Sequence, residues 1–156
     1  MNFDTGDNVK LEQTDKESIM KIVAARYFTN QNWKWINLKS EINKIYKAYD
    51  ELNEQYNAYP YMSRDWYVAN SATKNIHMCE KWNELKELMG FLESYAQHFD
   101  FMVKNGDEKF FCIISDNSEL SSDQKNAIDI ARKSQYKIYE FNMQVPDEVA
   151  FEISQL

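Results

Sequence analysis

The chain has 156 residues, 18 Lys and Arg against 25 Asp and Glu, and a formal net charge of −7. That length suits one domain with one core. The acidic balance argues against a generic nucleic-acid binder with a broad basic field, makes a protein partner the more expected one, and is compatible with that partner being basic. No apolar run approaches the roughly 18 residues needed to span a bilayer, so no membrane role is expected. The N-terminus MNFDTGDNVK is polar and carries no leader pattern, and the two cysteines, Cys79 and Cys112, suggest no disulfide framework. The expected location is therefore cytoplasmic.

Residues 1–13 show no periodicity and read as a flexible N-terminal arm, with a single domain over 14–156. Thr14 and Glu17 have the spacing of a capping box. Ile19, Ile22, Val23 and Tyr27 then predict the apolar face of a helix ending near Asn30. Residues 33–39, WKWINLK, alternate as a short strand. From Ser40 the period changes, and Ile42, Ile45, Tyr46, Tyr49, Leu52 and Tyr56 mark a helix. A loop around Pro60 leads to a short helix at 63–69. A longer helix over about 76–96 carries Met78, Trp82, Leu85, Met89, Leu92 and Tyr95.

The last third has a strand pattern. HFDFMVK and KFFCIIS flank Asn105-Gly106-Asp107, a strong hairpin signal, and the second strand reads as buried on both faces. Ser121 and Gln124 form a second capping box, followed by a helix with Ala127, Ile128 and Ala131 on its apolar side. YKIYEFNM, 136–143, is the next strand. The order strand–helix–strand implies a parallel pair. Pro146 breaks the pattern before an acidic C-terminal stretch.

The run from Phe99 to Phe141 resembles the core of the PD-(D/E)xK nucleases, and most of all the virus-type replication-repair and junction-resolvase branch. Phe99-Asp100 stands at the family's Pro-Asp position, and Leu120-Ser121-Ser122-Asp123-Gln124 matches its Leu-Ser-x-x-Gln helix start. The opening helix bears an acid, Glu17, as the family's does. The resemblance implies an α/β fold: a small mixed central sheet of restriction-endonuclease-like type, flanked by helices, with a large helical insertion at about 40–97.

The resemblance also implies a departure. Cys112 stands at the family's Glu and Ile114 at its Lys. Mg²⁺ takes hard oxygen ligands, and a thiol is a soft one. Only Asp100 and Glu17 remain as metal or catalytic candidates. Acids at Asp107, Glu108, Asp116 and Glu119 and lysines at Lys109 and Lys125 are the residues that would rebuild such a site. His77, Cys79, His98 and Asp100 include zinc-ligand types but lack a usual ligand spacing. Cys112 sits in Phe-Phe-Cys-Ile-Ile, a core context rather than a nucleophile's.

The expected function is thus a catalytically degenerate nuclease-fold protein that acts by binding, with no cofactor. It is a protein-interaction or regulatory factor, such as a viral or mobile-element inhibitor of a nucleic-acid enzyme. Trp33, Trp35, Tyr46, Tyr49, Trp66 and Trp82 are the candidate contact residues. The alternative is an active Mg²⁺- or Mn²⁺-dependent DNA or RNA endonuclease rebuilt around Asp100 and Glu17. A third reading pairs the aromatic helices between copies as a homodimer.

Overall fold

The computed structural model describes residues 6–156. Six strands and six helices follow in chain order: β1 Asp7–Lys10, α1 Gln13–Asn30, β2 Lys34–Asn37, α2 Leu38–Ala58, α3 Arg64–Ala69, α4 Lys74–His77, α5 Trp82–Tyr95, β3 Phe101–Asn105, β4 Glu108–Ser115, α6 Ser122–Lys133, β5 Lys137–Asn142 and β6 Glu148–Phe151. A single 3-10 turn, Ala96–His98, closes α5. The fold is mixed α/β. Among the described residues no helix is long and apolar enough to cross a membrane.

Four strands form an open mixed sheet in the order β2-β3-β4-β5. β2 and β3 pair antiparallel, as do β3 and β4, and β4 runs parallel to β5. The β3–β4 hairpin closes at Gly106, whose φ of +60° opens a two-residue turn. Asn105 stays in the strand opposite Glu108, so glycine alone supplies the positive φ that a hairpin turn of this length needs. The parallel step follows from α6, which carries the chain back along the sheet.

The sheet divides two apolar clusters. On one face α1 alone lays Ala24 and Phe28 over Phe101, Val103, Phe110 and Cys112. On the other face α2, α5 and α6 bury Ile36, Met102, Phe111 and Ile113 under Ile45, Leu88, Leu92 and Ala127. β4 therefore is buried on both faces, as its unbroken apolar run requires. Residues 38–98, which separate the neighbouring strands β2 and β3, supply most of that second layer.

Several expectations are corrected. α1 starts two residues earlier than Thr14 suggests: Glu12 is the N-cap, and its N–H donates to the Asp15 carboxylate at 2.9 Å. The buried stripe of α1 is Met20, Ala24 and Phe28, while Ile22 and Val23 are 65% and 51% exposed. One helix crossing a sheet touches it along an i, i+4, i+8 line, and the four-residue step wins over the summed hydrophobicity of the other side. The expected helix over 76–96 is two helices. Met78 takes a left-handed conformation (φ 57°) that ends α4, and α5 begins again at Trp82, whose N–H donates to Asp65 at 2.8 Å.

Part of the expected N-terminal arm takes a strand conformation. Residues 7–10 pair antiparallel with β6, which turns the C-terminal stretch into half of a two-stranded ribbon. Leu11 N–H donates to Asp147 carbonyl at 2.7 Å, and Lys16 on α1 pairs with the Asp147 carboxylate. Residues 1–5 of that arm lie outside the described residues.

Candidate functional site: a cleft beside Asp100

The start of β3 and the end of β4 meet the first two turns of α1. Between them lies a cleft of about 290 Å³ bordered by Glu17, Lys21, Lys39, Asp100, Ile114 and Asp116. Starting α1 at Glu12 matters here, because Glu17 is then no longer a capping residue and faces the cleft. Lys21 follows it one turn later on the same side. Lys39 enters from the first turn of α2, which Asn37 fixes by accepting from the Lys39 and Ser40 N–H groups. The Lys39 ammonium donates to the Gln97 carbonyl.

Asp100 is tied on three sides. Its N–H donates to Cys112 carbonyl at 2.9 Å, its carbonyl accepts from Leu38 N–H at 2.9 Å, and its carboxylate accepts from Ile114 N–H at 2.8 Å. Its side chain thus helps stitch β3 to β4 at the sheet end. Gln124 borders the cleft too, but its amide oxygen accepts from Ser121 N–H at 3.0 Å as the second half of the α6 capping box. Ser121 and Gln124 behave as a structural motif.

Cys112 lies on the α1 side of β4 and is fully buried with Phe28, Phe101, Val103 and Phe110. Burial, aided by the neighbouring Asp100 charge, pushes its thiol well above the ordinary range. A protonated thiol in an aromatic cluster is neither a magnesium ligand nor a ready nucleophile. Ile114 borders the cleft with an aliphatic side chain where the resemblance puts a lysine.

The metal that the resemblance implies finds a poor donor set. One Asp100 oxygen accepts from Ile114 N–H, and a thiol, Cys112, stands where the resemblance puts a carboxylate. Among the described residues no group of three His, Cys, Asp or Glu side chains is placed to hold a metal ion. This covers His77, Cys79, His98 and Asp100 as well. His77 Nδ1 accepts from Cys79 N–H at 3.0 Å, which occupies one of its two ligand positions. Of the residues that would rebuild the site, Asp116 reaches the cleft. Lys109 does not: it pairs with Glu84 at 2.9 Å near the opposite end of β4. Glu108 is held there as well, accepting from Tyr139 at 2.9 Å.

The six aromatic candidates separate by exposure. Trp33 and Trp35 pack on the α1-side cluster, with Trp35 Nε1 donating to Thr29 at 3.0 Å. Tyr46, Tyr49 and Trp82 pack on the other cluster, and Tyr49 stacks on Trp82. Only Trp66 stands out, 44% exposed, beside Tyr59, Tyr61 and Met62 at 60%, 83% and 46%. The loop from α2 to α3 thus presents an aromatic knuckle that sequence periodicity did not single out. The sign of it was Tyr59-Pro60-Tyr61, a turn residue between two aromatics.

No family model, no curated protein and no solved structure matches this chain.

Proposed function

We propose that this protein is a nuclease-like scaffold of the restriction-endonuclease type that acts by binding a protein partner rather than by cutting nucleic acid. The observation that carries this reading is the cleft's donor set. It has an acid at each place where a helix or strand end brings one, yet cysteine and isoleucine occupy β4 where a hard ligand and a cation would be needed. Support for the scaffold comes from the element order α1-β2-β3-β4-α6-β5 with the sheet order β2-β3-β4-β5. Residues 38–98 then stand as the helical insertion. The partner is a basic protein surface, in keeping with the net charge of −7. Exposed Tyr59, Tyr61 and Trp66 are residue types that dominate interface energetics.

A second reading is an active Mg²⁺- or Mn²⁺-dependent nuclease with a rebuilt site. It is favoured by Glu17, Asp100 and Asp116 bordering one cleft together with Lys21 and Lys39. A cleavage assay separates the two. Single-stranded, double-stranded and branched DNA and RNA are incubated with Mg²⁺ or Mn²⁺ beside an Asp100→Ala control. The binding reading expects no cleavage of any substrate. Metal-dependent cleavage that disappears in Asp100→Ala would overturn it.

A further inference from the structure

On the face of the sheet away from α1, the turn between α4 and α5 reaches β4. There Lys109 Nζ lies 3.3 Å from Cys79 Sγ and 2.9 Å from a Glu84 carboxylate oxygen. The lysine side chain is 12% exposed and Cys79 is fully buried. The thiol donates to His77 carbonyl at 3.1 Å, so its sulfur lone pairs are left facing the ammonium. Left-handed Met78 fixes the turn that places Cys79 there. Lys109 and Glu84 also form part of the wall of an open cavity of about 450 Å³, bordered further by Tyr136 and Lys137. The cavity opens Lys109 and Glu84 to solvent, while Cys79 lies outside its wall.

We propose that Cys79 and Lys109 form an oxidation-dependent N–O–S bridge that fastens the helical segment 38–98 to β4. The chemistry balances with hydrogen peroxide as the oxidant. One peroxide converts the thiol to the sulfenic acid: the S–H bond breaks, an S–O bond forms and water leaves. Lys109 loses its ammonium proton through the Glu84 carboxylate. A second peroxide oxidises the amine nitrogen. An N–H bond and the sulfenic O–H bond break, an N–O bond forms, and two waters leave. In sum, one thiol, one neutral amine and two peroxides give one N–O–S bridge and three waters.

Geometry separates this pair from an ordinary buried cysteine. The flexible four-carbon stem of lysine lets Nζ close the remaining gap without backbone movement. Cys112 is equally buried but packs among aromatic and aliphatic side chains, so it serves as the internal comparison. The bridge would join positions 79 and 109, closing a loop of the unfolded chain and raising stability as a disulfide does. It would hold the layer that carries the Tyr59–Trp66 knuckle in one pose on the sheet. The inference stands on these contacts alone and does not depend on the function proposed above.

The test is mass spectrometry of the intact chain after peroxide treatment, followed by peptide mapping. The expected product gains one oxygen and loses two hydrogens, maps to a cross-link between the peptides holding Cys79 and Lys109, and reverts with a thiol reductant. The oxidised chain melts higher than the reduced one. Lys109→Arg and Cys79→Ser abolish the cross-link, and Glu84→Gln slows its formation. The wild-type peptide map decides the matter even where a variant fails to fold. Cys79 found unchanged, or carrying only sulfenic or sulfinic oxygen, overturns the proposal. So does a cross-link that persists in Lys109→Arg.

Discussion

The two faces of the central sheet are built differently. One is covered by a single helix, and Phe28 there touches Trp33, Phe101, Phe110 and Phe141. The other is covered by several helices, whose buried side chains share the cover. The cleft with Asp100 opens on the thin side, where one helix leaves the sheet end uncovered. The polar contacts on the thick side lie deeper, with His77 and Cys79 fully buried. An accessible site needs incomplete cover, and a shielded network needs complete cover. One sheet has both.

The contrast is broken most forcefully by removing the keystone of the thin face. Phe28→Ala should cost about 3–5 kcal/mol, because a fully buried ring leaves a cavity that one helix cannot refill. Leu88→Ala on the thick face should cost less, near the low end of about 2–5 kcal/mol, since several helices can relax into the gap. Urea unfolding of the two variants checks the order, and equal costs would mean that the layers are equally redundant.

Acid should act through the thick face. Burial, with help from the Lys109 charge, lowers His77 from 6.5 to about 4. Between those values the unfolded chain binds a proton that the folded chain refuses. Stability therefore falls as pH drops from about 6.5 to about 4, by on the order of 3 kcal/mol in the limit. Glu84 adds to the acid loss at lower pH. Burial opposes its ionisation, but Lys109 and the Glu80 N–H outweigh that and hold its carboxyl below the usual range. That stabilisation is complete above the ordinary carboxylate pKa and disappears as pH falls through the lowered one. Unfolding of His77→Gln at several pH values should show a flatter profile between pH 6.5 and 4 than the wild type shows.

Smaller effects sharpen the picture at the edges. Ser121→Ala removes an N-cap that accepts from Gln124 N–H at 3.1 Å and should cost about 1 kcal/mol in chemical unfolding. Trp66→Ala should change stability by less than about 0.5–1 kcal/mol, because nearly half of the residue is already in water. A larger loss would mean that the knuckle is a packing element rather than a contact surface.

What the sequence makes legible is what its neighbours in the chain decide. The hairpin at Gly106, the Ser121–Gln124 box and the parallel partner β5 rest on local turn chemistry and period, and the structure has all three. The buried face of α1 was not legible, because the sheet it crosses is made of residues far along the chain. The ribbon of β1 and β6 was hidden for the same reason: its two strands are joined by pairing such as Val9 with Val149. The break at left-handed Met78 is followed by a helix start at which Trp82 N–H donates to distant Asp65, a contact outside any helical period. In the cleft, Asp100, Glu17 and Asp116 are legible in the sequence, and so is Lys21, one turn beyond Glu17. The place of Lys39 in the cleft is not legible, because α2 starts earlier than its apolar stripe suggests.

The proposed binding role requires that the cleft beside Asp100 hold no divalent metal. Electron paramagnetic resonance of Mn²⁺ titrated into the purified chain tests it most directly. The free-ion signal should persist at sub-stoichiometric metal, with the same titration for wild type and Asp100→Ala. Stoichiometric loss of that signal in the wild type, restored in Asp100→Ala, would contradict it.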